Sequence, residues 1–161
     1  MITAASRLQK ELRECQSLVG QGDHSEGRVV LHPDPDGDLF LWSATLYGSA
    51  DSPYADGRFE LSIQVPSNYP FHPPIIHFVT RVCHPNVHIK TGEICLDLLQ
   101  NAWSPAWTLQ STCTAILTLL TSPAAESPLN CDIANLLRSG DIRGYNSLIK
   151  MYTALYAIKT E

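Results

Sequence analysis

The sequence predicts an α+β fold, with helices packed on one face or at the ends of a four-stranded antiparallel sheet. Three observations predict it. Apolar residues recur at steps of three and four near both ends of the chain, but alternate with polar ones between about 28 and 65. The segments joining the alternating runs, Pro33-Asp34-Pro35-Asp36-Gly37 and Asp51-Ser52-Pro53-Tyr54, have the chemistry of chain reversal. Finally, 161 residues with 44% hydrophobic and 17% charged composition suffice for one core and leave little room for a second, so residues 1–161 are expected to form one domain.

Each element follows in order. Ile2, Ala5, Leu8, Leu12, Cys15 and Val19 lie on one stripe of an amphipathic helix, and Arg7, Lys10, Glu11, Arg13 and Glu14 lie opposite. Strands are expected over 28–31, 39–47 and 59–65, the last alternating Phe59, Leu61, Ile63 and Val65 with polar neighbours. A short fourth strand over 75–79 follows Pro73-Pro74, because proline is tolerated at a strand's start but not in its centre. Residues 80–107 are rich in His, Cys, Trp and Leu without clear period, the profile of a long structured loop. Leu109, Cys113, Ile116, Leu117 and Leu120 mark a helix ending at Ser122-Pro123. Ser127-Pro128 reads as the cap and first turn of the next helix, which buries Ile133, Leu136 and Leu137. Gly140 supplies a left-handed stop, and Asp141 caps a last helix with Ile142, Tyr145, Leu148, Ile149, Tyr152 and Leu155 inward.

Composition excludes several function classes. A net charge of -5 argues against coating nucleic acid, which requires a basic surface. Eight acids crowd residues 23–60 (Asp23, Glu26, Asp34, Asp36, Asp38, Asp51, Asp56, Glu60), and dispersed charge of this kind marks solvated turns and strand faces. The five cysteines at 15, 83, 95, 113 and 131 form no CxxC pair, which fits neither a disulfide framework nor a zinc array. A cluster of Cys83, His84, His88 and Cys95 has no recurrent ligand spacing, so no metal is expected. No apolar run reaches the roughly 18 residues of a membrane span, and no signal-peptide pattern opens the chain. A soluble protein of a reducing compartment, without direct membrane insertion, is the expectation.

The long loop carries the chemistry. It contains His84-Pro85-Asn86, then Thr91-Gly92-Glu93-Ile94-Cys95-Leu96-Asp97, then Trp103-Ser104-Pro105-Ala106-Trp107, with Tyr69-Pro70-Phe71-His72-Pro73-Pro74 upstream. In that order, and with the Arg7-Leu8-x-Lys10-Glu11-Leu12 helix, these elements resemble the ubiquitin-conjugating (E2) family over essentially the whole chain. The resemblance implies the UBC fold and an acyl carrier in which Cys95 holds ubiquitin as a thioester. Cysteine suits this task because thiol-thioester exchange is nearly thermoneutral and the thiolate is strongly nucleophilic. It implies no bound cofactor: ubiquitin is a co-substrate, and ATP is used by the activating enzyme (E1).

Further roles follow from the resemblance. Asn86 is assigned the donor to the tetrahedral oxyanion; the rival role for its amide is to pin the loop. His84 and Pro85 are expected to structure the loop rather than act on a proton. Family members often carry an acid before the proline at position 128; here Ser127 stands there, after Glu126, which leaves Asp97 as a candidate acid assisting the acceptor. Phe71, Pro105 and Ala106 lie where a RING-type ligase docks, and Arg7, Lys10 and Arg13 face the activating enzyme. Nine steps from Asn86 to Cys95, one more than in many relatives, and the segment from Glu126 to Asp141 are most like the peroxisomal branch of the family. That branch implies the peroxisomal import receptor as acceptor, on cysteine or lysine, and recruitment from the cytosol by a membrane-anchored peroxin. The rival readings are a catalytically inactive E2-like binding module, an E2 of another pathway, and a Cys-His hydrolase using Cys95 with His84 or His88. Cys15 and Cys113 are read as packing, and His24, His32, His72 and His77 receive no function.

Overall fold

The computed structural model describes residues 3–18, 28–124 and 126–158; Ile2, Val19, Asp23, His24 and Glu26 lie outside them. Helix α1 spans Ala4–Leu18 and is opened by a reciprocal pair, Thr3 N to Ser6 Oγ at 3.1 Å and Ser6 N to Thr3 Oγ1 at 3.2 Å. It buries Ala4, Leu8 and Glu11, with Leu12 and Cys15 half-buried. Glu11 therefore departs from the expected charged face. Donors from two distant segments, Tyr69 and Leu109, converge on its carboxylate and close that side of the helix.

Four strands follow, β1 (Val29–Pro33), β2 (Leu41–Tyr47), β3 (Arg58–Gln64) and β4 (Ile75–Phe78), joined antiparallel in the order β1-β2-β3-β4. The meander expected from the alternation is present, with strand ends displaced by one or two residues. Leu31, Ala44, Leu61 and Phe78 stand in one cross-strand row and are all buried. The adjacent row is His32, Ser43, Ser62 and His77 on the other face. His32 thus lies within β1, one residue past the strand end expected at 31, with Nε2 2.9 Å from Thr45 Oγ1.

Helix α2, Leu109–Thr121, starts from a capping box between Thr108 and Ser111 and adds Leu109, Cys113, Ile116 and Leu120 to the sheet's core. Helix α3 spans Cys131–Arg138 and is capped by Asn130, not by Ser127-Pro128. The cause is tertiary: Pro85 O accepts both Leu129 N (2.8 Å) and Asn130 N (3.1 Å), which diverts this backbone from a helical turn. Ile133 and Ala134 are buried, whereas Leu136 and Leu137 are half-buried.

Gly140 takes φ +77° and Asp141 Oδ1 accepts Gly144 N at 2.9 Å, so the stop and cap read from the sequence open helix α4, Ile142–Tyr156. Its buried arc is Tyr145, Ile149 and Thr153. Ile142 and Leu155 face out, 50% and 64% exposed, against the expectation that both point inward. Leu155 lies two residues beyond Thr153, about 200° around the helix, so it cannot share that arc. Among the described residues no helix is long and apolar enough to cross a membrane.

Candidate active site

Residues 82–87 run through the interior, every one of them buried. A backbone in that position needs local partners, and His84 supplies them. Its Nε2 donates to Leu119 O at 2.7 Å and its Nδ1 accepts Asn86 N at 2.9 Å, an assignment that uses both ring nitrogens of a neutral imidazole. Burial lowers its pKa from 6.5 to about 4, with the bond to Leu119 O opposing. The unfolded chain therefore binds this proton more readily between those values. Stability attributable to His84 is whole above about pH 6.5 and is lost as pH falls toward 4, by about 2 kcal/mol at pH 5. Urea unfolding at pH 7.5 and 5 measures the loss. In parallel, the ring resonances of folded His84 stay at neutral values through pH 5; a midpoint near 6.5 in the folded protein would contradict this account.

Asn86 is 1% exposed and its amide closes a ring with the Ala124 peptide: Nδ2 donates to Ala124 O at 2.7 Å and Oδ1 accepts Ala124 N at 2.8 Å. The remaining Nδ2 hydrogen lies toward Ser127 O, 3.5 Å away. In this arrangement the amide pins the 124 segment, and an oxyanion role would have to rely on that second hydrogen or break the ring.

Cys95 enters from the other side. Its N–H donates to Asn86 O at 2.8 Å, Val87 pairs with Ile94, and His88 N donates to Glu93 O at 2.9 Å, a short antiparallel ladder that fixes the cysteine beside Asn86. The ladder turns at Gly92, φ +72°, whose missing side chain leaves room for Phe78 O; Phe78 N in turn donates to Gly92 O at 2.9 Å. The turn is thereby docked on β4. Cys95 is half-buried, and Asp97, which opens a 3-10 turn at Asp97–Leu99, is exposed, as is Ser127. Cys83 and Cys113 differ in kind, since burial pushes each thiol up to about 12. Burial also raises Cys15, and Cys131 is exposed at the first turn of α3. A Cys-His pair does not form at His84, whose nitrogens are both committed to backbone groups, and His88 Nδ1 accepts Lys90 N and Thr91 N at 3.3 and 3.2 Å. Among the described residues no three His, Cys, Asp or Glu side chains come together for a metal.

The family model described as ubiquitin-conjugating enzyme matches residues 7–153, a span that holds the whole of this site. The chain belongs to the ubiquitin-conjugating enzyme family. Among its relatives, "Ubiquitin-conjugating enzyme E2 pex4" of Dictyostelium discoideum is 52% identical over 94% of this chain and 98% of its own length. "Protein PEROXIN-4" of Arabidopsis thaliana is 49% identical over 98% of each chain. A solved structure of the H. polymorpha ubiquitin-conjugating enzyme Pex4p, in complex with the soluble domain of Pex22p, superposes with a TM-score of 0.86 at 40% identity, covering 96% of this chain and 100% of that one.

The enzyme's outer surfaces separate the remaining sequence expectations. Phe71 is 68% exposed, just after the cis Tyr69-Pro70 bond, and Pro105 and Ala106 are exposed on the following loop. Trp103 ties the two loops together, Nε1 donating to Pro70 O at 2.8 Å. Lys10 and Arg13 are exposed, Lys10 lying 3.9 Å from Glu14. Arg7 does not join them. Its guanidinium is turned inward, with Nε 2.7 Å from Glu11 Oε1, Nη1 3.0 Å from Pro105 O and Nη2 2.9 Å from Trp107 O. Arg7, expected to face the activating enzyme beside them, is half-buried and tied to Glu11 and to two loop carbonyls. Sequence reasoning missed Glu11, Tyr69 and Ala124 as parts of this architecture. Only the Arg7-Glu11 spacing of four, a standard helical ion pair, carried a signal.

Proposed function

We propose that Cys95 of this ubiquitin-conjugating enzyme carries the ubiquitin acyl group and that the enzyme serves the peroxisomal branch of the family. The observation that carries the first part is the ladder holding a half-buried Cys95 against Asn86, two residues before the exposed Asp97. The Cys95 thiolate attacks the carbonyl of ubiquitin's thioester on the activating enzyme; the new C–S bond forms as that enzyme's thiolate leaves. In the second step an amine or thiol of the acceptor attacks, its proton passes to water or Asp97, and the Cys95 thiolate departs. The transfer needs no cofactor of its own, ATP being used by the activating enzyme. Lys10 and Arg13 form the basic face toward the activating enzyme, and Phe71, Pro105 and Ala106 receive a RING-type ligase. Ser127, exposed where family members often have an acid, leaves the acceptor side open and less charged, an arrangement suited to a thiol acceptor as well as lysine.

The peroxisomal assignment rests on the Pex4 and PEROXIN-4 relatives and on the Pex22p soluble domain bound to a similar chain. On this reading the enzyme is cytosolic, ubiquitinates the peroxisomal import receptor, and is held at the membrane by the soluble domain of an anchored peroxin. The outer face of α4 suits that partner. Met151, Leu155 and Tyr156 are 49%, 64% and 46% exposed, and the Tyr156 ring packs at a tilt against Tyr152 with ring centroids 5.6 Å apart. Apolar and aromatic anchors of this kind dominate binding energy at small interfaces. The direct test of the first part is a reductant-sensitive ubiquitin adduct formed with activating enzyme and ATP. For the second, Leu155→Arg is expected to weaken binding of the peroxin's soluble domain by at least about tenfold and to leave adduct formation intact. Titration of the variant by calorimetry checks this, and unchanged affinity would remove α4 from the interface.

A further inference from the structure

Helix α1 and the two loops of the ligase face meet at one buried carboxylate. Glu11 is 5% exposed, and both its oxygens accept hydrogen bonds: Arg7 Nε at 2.7 Å and the Tyr69 hydroxyl at 2.7 Å on Oε1, and Leu109 N, at the start of α2, at 2.8 Å on Oε2. Burial raises the Tyr69 pKa, and the Glu11 bond raises it further, so the phenol remains a donor. Arg7 extends the network outward, its Nη1 and Nη2 holding the carbonyls of Pro105 and Trp107 on either side of Ala106. Trp103 Nε1 to Pro70 O closes the circuit back to Tyr69.

The energetics of this arrangement are informative. Apolar residues filling the same space could stabilise the fold as well as a buried ion pair, whose desolvation largely offsets its attraction. What a satisfied buried pair supplies is fixed geometry. A planar guanidinium with separate donors sets the spacing of two carbonyls, which a lysine ammonium cannot do. Three segments far apart in sequence are thereby held in one arrangement, with Phe71 on one and Pro105 and Ala106 on another.

We propose that Arg7 and Glu11 are positioning residues for ligase-stimulated ubiquitin transfer, a strut that holds Phe71 in register with Pro105 and Ala106. The inference rests on the reading that these three residues receive a RING domain. Arg7 acts through the loop carbonyls and touches neither ubiquitin nor the reacting atoms.

The test uses full-length enzyme already charged with ubiquitin, so that any effect on charging drops out. Discharge to free lysine is timed with and without a RING domain that accelerates the wild-type enzyme. Arg7→Lys keeps the charge and loses the fork; it is expected to lower RING-stimulated discharge by about tenfold, as an increase in the RING concentration giving half-maximal rate, and to leave RING-free discharge unchanged. Tyr69→Phe, which removes a single hydroxyl, is expected to shift the same parameter in the same direction by less. Wild-type stimulation in Arg7→Lys overturns the proposal. So does an equal fall in stimulated and RING-free rates, since a merely structural role would lower both. Phe71→Ala separates the two layers: if it leaves stimulation intact, the docking reading fails and the strut falls with it, whereas a response lost in Phe71→Ala but kept in Arg7→Lys defeats the strut alone.

Discussion

Cys95→Ala is expected to abolish the reducible ubiquitin adduct, and Cys95→Ser to replace it with a slowly formed adduct that survives reductant. The two variants act on different terms. Alanine removes the nucleophile, and no other sulfur shares the ladder that fixes Cys95 beside Asn86. Serine preserves the position but substitutes a hydroxyl, which is scarcely ionised at neutral pH and attacks the activating enzyme's thioester far more slowly, by on the order of 10³-fold. Once formed, its oxyester resists both thiols and amines, so the product accumulates instead of turning over. The remaining cysteines serve as controls within the same chain. Cys83 and Cys113 are held protonated by burial at about 12, so neither presents a thiolate. Gels run with and without reductant read all of this. A reducible adduct persisting in Cys95→Ala would move the thioester elsewhere, and Cys131, exposed at the start of α3, is where it should then be sought.

How the sequence announced this architecture depends on the range of the forces involved. The β3 alternation of Phe59, Leu61 and Ile63 is local, and the burial follows it residue by residue. The Gly140-Asp141 stop and cap is equally local and occurs where the sequence puts it. Ser127-Pro128 has the same local form, yet the helix waits until Cys131 because Pro85 O, some forty residues upstream, takes the amides of Leu129 and Asn130. A propensity argument has no access to that acceptor. Glu11 makes the point most sharply: helical periodicity assigns it to a charged face, and that face is solvated only until Tyr69 and the start of α2 arrive. The active-site loop was legible as motifs through the family resemblance. Its geometry was not, because the partners of His84 and Asn86, Leu119 O and the Ala124 peptide, are backbone groups that any residue could present.

This difference between motif and geometry bears on what Asn86 does, and Asn86→Ala decides it. The substitution removes two short hydrogen bonds to Ala124 from a side chain that is 1% exposed, and leaves both the Ala124 groups and a void behind. The expected loss is about 3 kcal/mol, a fall in Tm of about 8 °C for a domain of this size. Asn86→Asp sharpens the test. It retains an oxygen to accept Ala124 N, but sets a carboxylate oxygen against Ala124 O, where Nδ2 now donates. Near neutral pH this repulsion makes Asp no better than Ala. As pH falls through the carboxyl's titration the protonated group regains a donor, so the stability gap between Asn86→Asp and wild type at the same pH should narrow. A catalytic donor predicts a different pattern, in which Asn86→Ala slows discharge by about 10² to 10³ with Tm unchanged. The amide ring with Ala124 favours the first outcome: the 124 segment loosens, Tm falls, and transfer slows as a consequence of the displaced segment. Calorimetric unfolding of both variants, alongside single-turnover discharge at a temperature well below either transition, distinguishes the two.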